Sequence, residues 1–263
     1  YFCPRLGLFK GLYYSVFHSV SAFCNAGFDL MGAETPFSSL TAEAGNWYLN
    51  LVIMALIVIG GLGFFVWLDL LDSRFRFKNL RLHSKIVVFM TAVLLAGGAL
   101  GLFLLELTGE AYEGMSLGDR ILASLFQSVT VRTAGFNTVD LAALREGSIF
   151  LMICLMVVGG STGSTAGGMK TTTAAVLVLS IFSTFRQKKN VECFKRRLED
   201  GITRTASCIF MMYLILIILS TLVLSAAEGI PVLTAMFETT SAIATVGVTL
   251  GITPEVSMVS KLV

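Results

Sequence analysis

The sequence predicts an all-α membrane protein made of repeated units, each combining membrane-crossing segments with a short helix that re-enters the bilayer. Three observations predict it. Hydrophobic residues make up 55% of the 263-residue chain and charged residues 14%, with a mean hydropathy of +0.82; soluble domains carry about 25% charged residues. Three uncharged runs, 51–68, 86–105 and 205–227, reach the roughly 18 to 20 residues needed to cross the hydrocarbon core. Finally, one type of peptide occurs three times, as SVFHSVSAFCNAGFD (15–29), SLFQSVTVRTAGFNT (124–138) and AMFETTSAIATVGVT (235–249), with Gly27, Gly135 and Gly247 spaced 108 and 112 residues apart. A repeat at such a period fixes the architecture before any single element is read.

Taken in order, residues 1–23 lie outside or dip in from outside, and 12–23 read as the first short helix. Residues 51–68 run inward as one span, 72–85 form a basic hairpin and 86–105 run outward. The stretch 106–119 carries Glu106, Glu110, Glu113 and Asp119 without Lys or Arg, and is external. Residues 120–131 make about 18 Å of helix, too short to cross, so they form a re-entrant helix or a surface helix, and three copies in equivalent positions favour re-entry. The runs 149–158 and 174–182 are also too short to span, and GGSTGSTAGGMKTTT (159–173) lies between them. One helix over 149–185 would be about 55 Å long, and each glycine in it would cost roughly 0.8 to 1 kcal/mol relative to alanine. The segment is therefore expected to be an irregular loop in mid-membrane joining two half-helices, facing water or protein. A second basic hairpin (186–204), the span 205–227 and a last short helix (232–243) follow.

Twelve of the nineteen Lys and Arg residues fall in 72–85 and 186–204, which places both loops in the cytoplasm by the positive-inside rule. Short hairpins between spans do not suit nucleic acid. The five cysteines are scattered without ligand spacing and are expected to be inert buried thiols; His18 and His83 are too far apart for a metal site. Residues 163–171, GSTAGGMKT, miss the phosphate-cradle pattern by one residue and are flanked by half-spans rather than a strand and helix. No reaction centre is visible, so the chain is not expected to be an enzyme.

In each of the three copies a glycine follows a dozen helix-compatible residues, freeing the backbone to present carbonyls where a side chain would block them. This is how ion channels build a ring of oxygens that replaces an ion's hydration shell. The competing function is an ion-coupled secondary transporter, since those also use discontinuous helices at mid-membrane; repeats running in one direction favour the channel-like path. Arg132, three residues before its glycine, is a cation that should not be buried alone. It is expected to pair with Glu238 or to snorkel to the outer surface. Gly98 reads as an ordinary span glycine.

The peptides NAGFDL, RTAGFNT, GGSTGSTAGGMKTTT and ATVGVTLGIT, in this order and at these distances, resemble the membrane subunit of Ktr-type potassium uptake systems in the Trk/Ktr/HKT superfamily. The resemblance implies four fused membrane-pore-membrane repeats around a pseudo-fourfold pore. Residues 1–71 would be the pore segment and inner helix of the second repeat, 72–185 the third repeat with a broken inner helix, and 186–263 the fourth without its inner helix. On this reading the chain is a fragment lacking the first repeat. The filter would be Asn25, Ala26, Gly27 and Phe28; Thr133, Ala134, Gly135 and Phe136; and Thr245, Val246, Gly247 and Val248, holding potassium through backbone carbonyls. The gate would be Gly159, Gly160, Ser161, Thr162, Gly163, Ser164, Thr165, Ala166, Gly167 and Gly168 with Lys170, a mobile loop because small residues offer few packing contacts. Lys170 would reach the cytoplasmic side or meet a partner. The resemblance further implies a homodimer in the lipid membrane, a cytoplasmic ring of nucleotide-binding regulatory subunits for which the basic hairpins are candidate docking surfaces, and no organic cofactor.

Overall fold

The computed structural model describes residues 1–33, 38–188, 190–194, 196–254, 256–258 and 260–262. Its helices are α1 (Phe2–Leu6), α2 (Leu8–Phe23), α3 (Trp47–Leu62), α4 (Phe64–Asp72), α5 (Leu82–Leu105), α6 (Leu117–Thr130), α7 (Glu146–Val157), α8 (Thr171–Phe185), α9 (Asp200–Glu228) and α10 (Val232–Ile243). Before α9 the chain makes a small antiparallel hairpin of β1 (Glu192–Cys193) and β2 (Arg196–Arg197). Local chemistry starts two key helices. The Asn46 side chain accepts from the Leu49 amide at α3, and Ser116 accepts from the Asp119 amide while donating to its carboxylate at α6. Such caps satisfy amides that the first helical turn leaves without partners.

Helix α5 and residues 201–228 of α9 are long and apolar enough to cross a membrane. Much of α9 is uncovered, with Met212, Ile215, Leu219 and Leu222 exposed, as suits a lipid-facing helix. The short helices are each bracketed by longer ones: α2 packs on α3, α6 on α5 and α3, and α10 on α9 and α7. One core joins α7, α10 and the peptides after α6 and α10 through Met152, Ile153, Met156, Phe237 and Val246; a second joins α2, α3 and α6 through Ile53, Ile57, Phe126 and Phe136.

The run 51–68 is not one span. It breaks at Gly63, φ +92°, and α4 leaves α3 at 92°. A β-carbon on Gly63 would lie 2.6 Å from Ser161 Oγ and 2.9 Å from the Thr162 carbonyl, so the glycine-rich segment packs directly against the bend and leaves room there for glycine alone. The second break falls where composition placed it, with α7 ending at Val157 and α8 starting at Thr171.

Two further expectations fail. Gly98 is a contact glycine: a β-carbon there would meet Ser128 Oγ and come within 2.8 Å of Leu155 Cδ1. Its bareness lets α6 approach α5, where Ser128 Oγ donates to the Leu95 carbonyl at 2.9 Å. All five thiols are free, but only Cys193 is buried, while Cys24, Cys154 and Cys208 are exposed, because an apolar run in a membrane protein presents much of its surface to lipid rather than to a core. At the outer end of α5, Glu106 is fully buried. Its Oε1 accepts from the Arg145 amide (2.9 Å) and Ser148 Oγ (2.5 Å), capping α7 from a different helix.

Candidate functional site

Each short helix ends in a turn with the same backbone signature. Asn25 and Gly27 have φ of +52° and +73°, Thr133 and Gly135 +68° and +91°, Thr245 and Gly247 +56° and +87°. Positive φ is uncommon outside glycine, so three non-glycine instances at equivalent positions mark a built feature. Left-handed residues on either side of one that is not rotate successive peptide planes, so that the backbone leaves the helical course at the same place in all three copies.

The strands are anchored to their helices by two sets of bonds. The amides of Ala26, Ala134 and Val246 donate to the carbonyls of Ser21 (2.9 Å), Thr130 (2.9 Å) and Ser241 (2.8 Å). The hydroxyls of the same three residues donate forward to the carbonyls of Phe28 (2.7 Å), Phe136 (2.5 Å) and Val248 (2.6 Å). A further anchor recurs in two copies. His18 Nε2 accepts from the Leu30 amide at 3.3 Å, and Glu238 Oε1 from the Leu250 amide at 2.8 Å, each amide lying three residues beyond its glycine. Sequence reasoning missed this anchoring role, although the residue pattern recurs. Phe17-His18, Phe126-Gln127 and Phe237-Glu238 are each followed, three residues after the polar partner, by Ser21, Thr130 and Ser241.

The three strands converge at their glycines. A β-carbon on Gly135 would lie 2.7 Å from the Val246 carbonyl and 3.0 Å from Gly27 Cα; one on Gly27 would meet the Ala134 carbonyl and stand 2.8 Å from Gly135 Cα. Only glycine fits that approach with that φ. A cavity of about 300 Å³ opens beside the convergence, lined by Gly27, Gly135 and Gly247 with Asp29, Asn137 and Asp140. Helices α2, α6 and α10 all end at these strands, so the negative ends of their dipoles lie close to the convergence. The copies are unequal: Phe136 and Val248 are buried, whereas Phe28 is exposed.

Residues 158–170 run alongside all three strands. Thr165 Oγ1 sits 3.0 Å from the Phe23 carbonyl, at the end of α2, and 2.9 Å from Asn25 Oδ1. Gly167 packs so tightly against Thr245 that any β-carbon would overlap its hydroxyl. Arg132 Nη2 donates to the Gly159 carbonyl at 3.2 Å. The same segment is sewn to the broken α3–α4 joint: the Ser161 amide donates to Gly61 O (3.0 Å), the Thr165 amide to Gly60 O (3.3 Å), and the Phe64 amide to Gly163 O (3.0 Å). Ser161 Oγ also donates to the Leu62 carbonyl. Gly160 and Gly168 close its base, since Thr171 N donates to Gly160 O (3.0 Å) and a β-carbon on Gly168 would stand 3.1 Å from Gly159 Cα. Ser164 Oγ donates back to the Ser161 carbonyl at 2.7 Å. The expectation of few restraining contacts is therefore wrong. Small side chains allow the backbone itself to approach and bond, each such bond contributing about 0.5 to 1.5 kcal/mol net.

Arg132 also differs from expectation. Arg132 is 7% exposed, so it does not snorkel outward, and it does not pair with Glu238. That carboxylate is occupied by Thr249 Oγ1, the Leu250 amide and Thr253 Oγ1. Arg132 instead sits just past the end of α6, where a cation is favoured, and holds a carbonyl just past the end of α7. Lys170 folds back to the Ala166 carbonyl at 2.8 Å.

A profile of TrkH, described as a cation transport protein, matches residues 6–263. The chain belongs to the TrkH family. Within it, the chain is 41% identical over its whole length to the potassium/sodium uptake protein NtpJ of Enterococcus hirae, of which it covers 58%. It is 38% identical over 99% of its length to the Ktr system potassium uptake protein B of Bacillus subtilis, covering 57% of that protein. The chain thus spans somewhat over half the length of these relatives. The crystal structure of the potassium transporter TrkH from Vibrio parahaemolyticus superposes with a TM-score of 0.68 over 89% of this chain and 48% of the other, at 22% identity, which establishes the shared fold. TrkH-family membership makes this a multi-pass membrane protein of a transport family rather than an enzyme.

Proposed function

We propose that this chain forms part of a potassium uptake path in which the strands at Gly27, Gly135 and Gly247 contribute carbonyls to an ion filter and residues 159–170 act as a gate. Potassium sheds water into carbonyls whose partial charge replaces its hydration. The observation carrying this reading is the convergence of three peptides with paired left-handed residues at Gly27, Gly135 and Gly247, the first two with no room for a β-carbon, and a hydrogen-bonded irregular segment in contact with each copy. The segment is a latch rather than a slack obstruction: opening exchanges a defined set of bonds at Thr165, Ser161 and Gly159. The same reading takes the working assembly to be a homodimer of the full-length protein, controlled by a cytoplasmic ring of nucleotide-binding subunits.

The test is ion flux in proteoliposomes carrying the full-length protein, potassium against sodium, with and without a deletion of several residues within 161–167. The deleted form, checked for a cooperative melt, should pass potassium faster with little change in selectivity. Flux no higher than the parent's in a folded deletion variant would remove the gate from the proposal.

A further inference from the structure

On the side of the basic loops, α4 leaves α3 at 92°. Helix α4 turns its apolar side outward: Phe64, Phe65, Leu68 and Leu71 on it are exposed. Directly after it, residues 74–79 are exposed without exception, and the first five alternate cation and ring: Arg74, Phe75, Arg76, Phe77, Lys78. Phe75 is 63% exposed, a poor arrangement in water. Its orientation is imposed, because Arg74 and Phe75 are consecutive non-glycine residues with φ of +53° and +58°, pinned as the Phe75 amide donates to Leu70 O at 2.8 Å. The second basic loop reaches the same place. Phe194, at the turn between β1 and β2, meets the Phe77 ring at 6.0 Å and the Phe89 ring at 6.4 Å, edge to face, and Arg196 beyond it is exposed. Arg74, Arg76 and Lys78 form no ion pair among the described residues.

We infer that the Arg74–Lys78 strip with the Phe194 turn is a docking surface for acidic phospholipids of the inner leaflet. Rings at the boundary between headgroups and acyl chains, flanked by cations at phosphate level, match both halves of such a lipid. Guanidinium groups bind phosphate oxygens in pairs, and clustered Lys and Arg next to a span attract anionic lipid. The left-handed pair at 74 and 75 holds ring and cation at the surface together. A soluble protein partner would supply charge complementarity but would have to cover α4's apolar face as well, which the bilayer does without a partner.

The test uses the full-length protein purified from vesicles of equal phosphatidylglycerol and phosphatidylcholine, with retained lipid measured by mass spectrometry. The parent should retain phosphatidylglycerol over phosphatidylcholine by about tenfold, and Arg74→Gln/Arg76→Gln/Lys78→Gln by less than about twofold. Phe75→Ser, which leaves the charge alone, should lower the preference about threefold, because without the ring anchored at the boundary Arg74 and Arg76 are no longer held at phosphate level. These side chains are exposed, so both variants should melt like the parent; if the triple variant does not, Phe75→Ser decides alone. Equal lipid preference in parent and variants overturns the proposal. Unchanged lipid preference with lost binding of a purified cytoplasmic regulatory subunit overturns it too, and assigns the strip to protein.

Discussion

Arg132 and Gly159 are joined by a hydrogen bond of 3.2 Å from the guanidinium to the carbonyl. This links the residue before the second of the three strands to Gly159 in the irregular segment. The arginine is buried with its Nε unpartnered, so its position is held by that carbonyl and by the end of α6 rather than by a countercharge.

If this is so, Arg132 and Glu238 should be energetically independent. Arg132→Gln, Glu238→Gln and the double variant should give melting shifts that add within roughly 0.3 to 0.5 kcal/mol. A coupling above about 1 kcal/mol would restore the ion pair. In flux measurements Arg132→Gln should raise basal potassium passage, because it frees the first anchor of the segment.

Gly135→Ser should reduce potassium selectivity over sodium at least tenfold while leaving expression nearly intact. Its β-carbon would enter the space of Val246 O and Gly27 Cα at φ +91°. The proper comparison is Gly97→Ser, where nothing lies within 4 Å of a β-carbon; Gly98 is unsuitable because it would disturb α6. Selectivity lost equally at Gly97 would argue against a filter at Gly135.

Removing a strand anchor should loosen selectivity without emptying the membrane of protein. Ser241→Ala leaves the Val248 carbonyl without its donor, at a cost of about 1 to 3 kcal/mol for a buried group. A lower potassium-to-sodium flux ratio with a modest fall in melting temperature is expected. Ser207→Ala, in α9 with only a local bond to Thr203, should change neither.

Glu106→Ala should lower the melting temperature, since the Arg145 amide and Ser148 hydroxyl lose their acceptor and α7 its cap, about 1 to 3 kcal/mol together. Glu106→Gln keeps an acceptor oxygen at that position and should be markedly milder. Equal losses would mean that the charge, not the hydrogen bonds, matters there.

The short helices, the strand glycines and the break after Val157 were legible because each has a local cause: a repeat, a backbone requirement, a run of helix-breaking residues. The break at Gly63 was hidden inside an unbroken apolar run, and the groups packed against it, Ser161 and Thr162, lie about 100 residues away. Charge complementarity suggested a partner for Arg132, but local hydroxyls and an amide had already filled Glu238. The number of restraining contacts was misread from composition, since the bareness that denies side-chain packing is what lets Gly60, Gly61 and Gly163 bond backbone to backbone. The anchors Ser21, Thr130 and Ser241 were visible in the aligned copies, but hydroxyls near a helix end have no distinct signature until their acceptors are seen.

The bond from the Phe64 amide to the Gly163 carbonyl makes α4 a lever. The carbonyl stands in for the helical partner that α3 would have supplied had it run straight, so α4 keeps its heading only while the segment stays seated. Withdrawing the segment removes the fulcrum at Gly63, and turning α4 at the inner surface pulls on the segment by the same bond. Any displacement of residues 159–170 must therefore either break this bond or carry the start of α4 with it.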